Sequence, residues 1–225
     1  NRCSHSAGMA VHDAPEYAAM GGVVEQQLHD ALQVLRTQNI AQVSRIIETA
    51  RQVNTMEVEI NEACTRILAL HHPTAGDLRL VQIVIKTISD LERIGNVARK
   101  IVRFVRKNRD FPHIQPLYLH RMGELAKEML RSVLDAFARM DVEAAVQLYK
   151  EDDKVDEQYE LLICELMNYM AEHPHAIPQV LEMIRCAHSI ERIGDRCQNI
   201  SYYIIYYIKG KDVRHTKIEH LTDLR

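Results

Sequence analysis

Four carboxylates at a repeated spacing carry the chemistry this sequence offers. Glu191 and Asp195 lie four residues apart, and so do Asp152 and Asp156. On a helix that spacing stacks each pair on one face, where like charges destabilise an isolated helix by about 0.2–0.5 kcal/mol. If the two helices form an antiparallel hairpin, the pairs converge into an oxygen-rich site for a hard or borderline cation such as Mg, Mn, Fe or Zn. The competing reading is a solvated charged face neutralised by Arg192, Arg196 and Lys154. Spacing alone leaves both open.

A poorer version of the same pattern lies upstream. Glu-Arg-Ile-Gly occurs at Glu92 and again 99 residues later at Glu191, and Val53-Asn54 matches Val155-Asp156 at an offset of 102. In that register Asp152 corresponds to Ala50, Asp156 to Asn54 and Asp195 to Asn96, leaving Glu92 as the acidic match. Glu92 with Asn96 is therefore the weaker candidate, with Glu57 and Asp90 nearby in sequence. Both copies carry a glycine, Gly95 and Gly194, in mid-helix, where Gly costs about 1 kcal/mol relative to Ala. Close approach of a neighbouring helix is the simplest compensation.

Other constellations are weaker. A ferritin-type di-iron oxidase wants Glu-x-x-His on paired helices, whereas His188-x-x-Glu191 has the reverse order and occurs once. Tyr202, Tyr203, Tyr206 and Tyr207 at helical spacing read as packing. His71-His72, and His173 with His175, stand beside prolines and read as loop residues. Neither a nucleophile with a base in local register nor a Gly-rich phosphate loop is present.

The elements that must position these residues are helices. The 225 residues are 47% hydrophobic, Trp is absent, and the few Gly and Pro separate long stretches free of both, a helical composition. A formal charge of −3 gives no electrostatic reason to bind nucleic acid or anionic lipid. The longest apolar run, Tyr202 to Ile208, is far short of the roughly 20 residues of a membrane span. With no apolar signal segment, the expectation is a cytoplasmic protein. Five cysteines without a Cys-x-x-Cys pair read as buried reduced thiols.

Periodicity predicts six helices. The first runs from about Glu16 to Asn39, which can cap a second that ends before His71. Thr74 and Asp77 can cap a third, running to about Asn108. Prolines between Arg109 and Pro116 separate the halves. A fourth helix ends near Met140, and Asp141 caps a fifth running from Val142 to about Met170. The sixth starts after Pro174 and Pro178 and stops at Gly210. The reading is all-α, two tandem three-helix bundles from an internal duplication. It divides the chain into an arm at 1–15, a first bundle at 16–110, a second at 117–210 and a polar tail at 211–225.

The chain resembles the PhoU family of bacterial phosphate-uptake regulators. The resemblance rests on Met20 to Leu28, Val53 to Glu57, Pro73 to Leu80, Leu91 to Gly95, Asp135 to Asp141 and Ser189 to Ile200, and fades before Tyr17. It implies paired three-helix bundles related by pseudo-twofold symmetry, whose acidic motifs hold metal clusters in some members. Here those motifs are intact at Asp152/Asp156 and Glu191/Asp195, and broken at Ala50/Asn54 and Glu92/Asn96. It further implies a non-enzymatic, usually dimeric negative regulator of the phosphate-starvation response. Its implied partners are a sensor histidine kinase and the ATPase subunit of a phosphate ABC transporter, with membrane attachment only through them. The alternatives are a carboxylate-bridged metalloenzyme and a metal-free structural bundle.

Overall fold

A computed structural model describes residues 15–70, 74–108, 117–149 and 153–210. The described residues form helices α1 (Pro15–Thr37), α2 (Val43–Leu70), α3 (Ala75–Lys107), α4 (Leu117–Arg139), α5 (Val142–Tyr149), α6 (Asp153–Glu172) and α7 (Ile177–Lys209), with no strand among them. Short 3₁₀ turns at Ile40–Gln42 and Pro174–Ala176 lead into α2 and α7. The predicted fifth helix corresponds to α5 and α6. The expected arm, apart from Pro15, and the tail lie outside the described residues, as do His71, His72 and the link at 109–116.

The helix ends follow local chemistry. Thr74 Oγ1 accepts from the Asp77 amide and the Asp77 carboxylate accepts from the Thr74 amide, a reciprocal cap on α3. Asn39 Oδ1 accepts from the Ala41 amide, and Asp141 Oδ1 accepts from the Ala144 amide. Each of these two caps is preceded by a residue at positive φ, Gln38 (57°) and Met140 (49°), so the same corner is built in both halves. Gly210, at φ 67°, closes α7 with its amide on Tyr206 O.

Two bundles, α1–α3 and α4–α7, pack about a pseudo-twofold axis, α5 and α6 together taking in the second the place of α2 in the first. Helix α2 lies on α1 and α3, and α5 and α6 lie on α4 and α7. The halves meet through α1 against α4 and α3 against α7. A Cβ at Gly21 would stand 3.1 Å from Leu134 Cδ2, and one at Gly123 would stand 2.5 Å from Leu32 Cδ2. Those two contacts are the same contact twice, because both the glycines and the leucines are 102 residues apart, as an isologous interface requires. Asp90 meets Arg196 and Tyr203 while Lys107 meets Glu182, so α3 and α7 run antiparallel.

Burial follows the predicted helix faces. Met20, Val24, Leu28, Ile46, Val53, Leu91, Ile94, Met122, Leu130, Ile190 and Ile193 belong to one apolar core continuous through both halves. Cys64, Cys186 and Cys197 are buried, but Cys164 is exposed. The expectation of a buried thiol fails there because α6 turns Val155, Leu162 and Leu166 inward, and two residues past Leu162 is the opposite side of a helix. Cys3 lies outside the described residues.

Candidate functional site

Glu191 and Asp195 sit mid-way along α7, and Asp156 sits on the first turn of α6. The packing of α6 on α7 brings these three carboxylates together. Asp156 is held above the usual carboxylate range by partial loss of water, then by the charges of Asp195, Asp153 and Glu160. Glu191 is pushed up by burial and by Asp195 and Asp156, against the opposing pull of His188. His188 Nδ1 lies 3.0 Å from Glu191 Oε2 and forms an ion pair when the imidazole is protonated. Tyr159 of α6 faces the same point, its hydroxyl raised by burial and by Glu191. Asp152, the fourth predicted ligand, lies outside the described residues.

The donor set has the chemistry of a cation site: hard oxygens, mutual repulsion and a buried Glu191 Oε2 with no aligned hydrogen-bond donor. It is not drawn in to coordination range, since no group of three or more His, Cys, Asp and Glu among the described residues is placed to hold a metal ion. Arg196, one of the predicted neutralising partners, turns away to α3, where its Nη1 lies 3.4 Å from Asp90 Oδ1. Arg192 is exposed and makes no ion pair among the described residues.

The equivalent seam between α2 and α3 has a different solution. Asn96 Nδ2 donates to Glu92 Oε1. Asn54, with its amide nitrogen turned to Glu92, donates to the same oxygen at 3.2 Å and to Ala50 O at 3.0 Å. Two amides thus serve one carboxylate oxygen where the second half presents two acids. Glu57 stands beside it, raised by burial and by Glu92, and lowered by Arg93 and a hydrogen bond from Ser89. The weaker pair Glu92 and Asn96 is therefore joined by a hydrogen bond, with Asn54 on the same carboxylate oxygen.

A stability consequence separates the two seams. Glu191 and Asp156 titrate above their ordinary values in the fold, so folding favours their protonated forms and stability falls as pH rises through the raised values. Asp195→Asn, which copies Asn96, should stabilise metal-free protein at neutral pH by about 0.5 kcal/mol and flatten its pH dependence. Thermal unfolding from pH 4 to 8 in chelator measures both; an unchanged slope would separate Asp195 from the pair.

Sequence reasoning missed the polar centre of the interface between the halves. Asp90 is 1% exposed, with Tyr203 Oη donating to Oδ2 at 2.9 Å and Arg93 and Arg196 at 3.5 and 3.4 Å from Oδ1. Burial raises its carboxyl, while the hydrogen bond from Tyr203 and the two arginines oppose the rise. Tyr203 therefore does more than pack. Tyr202 packs as expected, 5.1 Å from the Tyr149 ring. His173 stacks 4.2 Å from the Tyr169 ring at a helix end, a structural role.

A family model described as "PhoU domain" matches residues 17–105 and 119–204, once in each half. The chain is 52% identical over 207 residues to the phosphate-specific transport system accessory protein PhoU of Escherichia coli (strain K12), covering 91% of this chain and 86% of that protein. The crystal structure of PhoU from Pseudomonas aeruginosa superposes with a TM-score of 0.84 at 38% identity, covering 88% of this chain and 96% of that one. That of the phosphate transport system regulatory protein PhoU from Streptococcus pneumoniae gives 0.86 at 26% identity, covering 92% and 99%.

Proposed function

The chain belongs to the PhoU family, a family named for accessory and regulatory proteins rather than enzymes, and on that premise we propose that it is a negative regulator of the phosphate-starvation response and of phosphate uptake. It acts by contact with a sensor histidine kinase and with the ATPase subunit of a phosphate ABC transporter when phosphate is plentiful. A regulator of this kind must bind the silent state of the kinase better than the active one, since equal affinity would shift nothing. The supporting observation is the 52% identity that spans both halves. No described helix is long and apolar enough to cross a membrane, which agrees with a cytoplasmic protein that reaches the membrane through its partners. A homodimer is part of the proposal.

Asp156, Glu191 and Asp195, with Asp152, would hold the cation. A Mg, Mn, Fe or Zn ion there would supply charge neutralisation, drawing the start of α6 onto α7 and fixing the surface offered to the partners. The first-half seam stays metal-free.

Affinity capture on the tagged full chain, from cells at high and low phosphate, should recover the kinase and the transporter ATPase, more of both at high phosphate. Capture of neither at any phosphate level would end this reading. Elemental analysis of tag-free protein should find metal that Asp156→Asn lowers; metal-free wild type would instead select the purely structural bundle.

A further inference from the structure

The α3–α7 interface opens to solvent as a cleft of about 460 Å³ lined by Arg93, Arg99 and Lys100 of α3 and Arg192 and Arg196 of α7. We propose that this cleft binds an oxyanion of phosphate chemistry, either free inorganic phosphate or the phosphodiester headgroup of an anionic lipid. The proposal goes beyond the regulatory reading and does not depend on it.

Five cations converge here in a protein whose formal charge is −3, and among the described residues no Asp or Glu lines the cleft. The placement follows from helical spacing. Arg93, Asn96 and Lys100 recur at three and four residues on α3, and Ser189, Arg192 and Arg196 do so on the antiparallel α7. Glu191 and Asp195 of α7 are carried round to the α6 seam instead. The carboxylate beneath the cleft, Asp90, is buried and already shared by Tyr203, Arg93 and Arg196. That leaves Arg99, Lys100 and Arg192 without an ion pair among the described residues.

Arg99 Nε is buried with no hydrogen-bond partner among the described residues, so no protein acceptor there holds the Arg99 guanidinium back from an anion. Like charges at this density repel one another, so an anion between them gains from several at once. Guanidinium forks match the paired oxygens of a tetrahedral phosphate and Lys100 adds a point charge. Neutral groups contribute little: Asn96 Nδ2 is engaged by Glu92 and the Ser189 hydroxyl donates to Arg185 O at 2.9 Å. Among the described residues no aromatic side chain lines it, so they supply no stacking platform of the kind single-stranded nucleic acid uses.

Titration calorimetry of the full chain with inorganic phosphate, in chelator so that no cation at the acidic seam bridges the ligand, tests the free-ion source. Retention on vesicles of phosphatidylglycerol in phosphatidylcholine, against phosphatidylcholine alone, tests the headgroup source. Saturable binding in either arm should weaken at least about tenfold in Arg192→Gln and in Lys100→Gln, and persist in Arg192→Lys more than in Arg192→Gln. Neither residue holds an ion pair, so both variants should keep the wild-type unfolding temperature. Arg131→Gln, in the separate cleft between α1 and α4, should bind as wild type. No binding in either arm, or binding equal in wild type, Arg192→Gln and Lys100→Gln, would overturn the proposal.

Discussion

Asp90→Ala is expected to lower stability by about 3 kcal/mol, the low end of the range for removing one partner of a buried charged cluster. Asp90 joins the halves through Tyr203 Oη at 2.9 Å and Arg196 Nη1 at 3.4 Å, so its loss leaves a half-buried phenol and a guanidinium 19% exposed without their acceptor. For a chain of this length the unfolding temperature should fall by roughly 6–12 °C. Asp90→Asn keeps an acceptor for Tyr203 and should cost less. A double-mutant cycle of Asp90→Ala with Tyr203→Phe should show coupling of about 1 kcal/mol or more, because the two groups share one hydrogen bond. Additive single effects would mean that the bond seen between α3 and α7 contributes nothing measurable.

Gly95→Val is expected to destabilise by a comparable amount, about 3 kcal/mol, at the upper end for overpacking. A Cβ at Gly95 would meet Gln27 Oε1 at 2.9 Å and Val53 Cγ1 at 3.4 Å, so α1, α2 and α3 all close on this position. Gln27 is 2% exposed and its Nε2 donates to Ile46 O at 3.2 Å, which limits its freedom to move aside. Gly95→Ala gains about 1 kcal/mol of helix propensity against the same clash, and should come out far milder. Chemical denaturation of the two variants measures the difference. If Gly95→Val were neutral, the glycine would have no part in bringing the three helices together.

The first-half seam shows how far a one-dimensional reading reaches. Asn54 and Asn96 stand where the second half has acids, and that alone marks Glu92 with Asn96 as the weaker candidate. Only the packing of α2 on α3 reveals that both amides donate to Glu92 Oε1. The second seam is the converse. Spacing placed Glu191 and Asp195 on one face, and α6 then brings Asp156 to them, but the arginines named as their counter-charges serve α3 and the cleft.

The sequence by itself determined the helices, their caps and the duplication. Those features depend on neighbours within a few residues, as with Thr74 and Asp77, or on a repeat visible at fixed offset, as with Glu92 and Glu191. Tertiary structure alone decided that Asp90 is the buried link between the halves, that Gly21 and Gly123 form one interface twice, and that five cations share a cleft. Arg196 and Tyr203 lie 106 and 113 residues from Asp90. No local propensity encodes a contact across that distance; it exists because the pseudo-twofold packing lays α3 antiparallel to α7, where each helix buries its apolar stripe and the polar residues at the seam must find partners in each other.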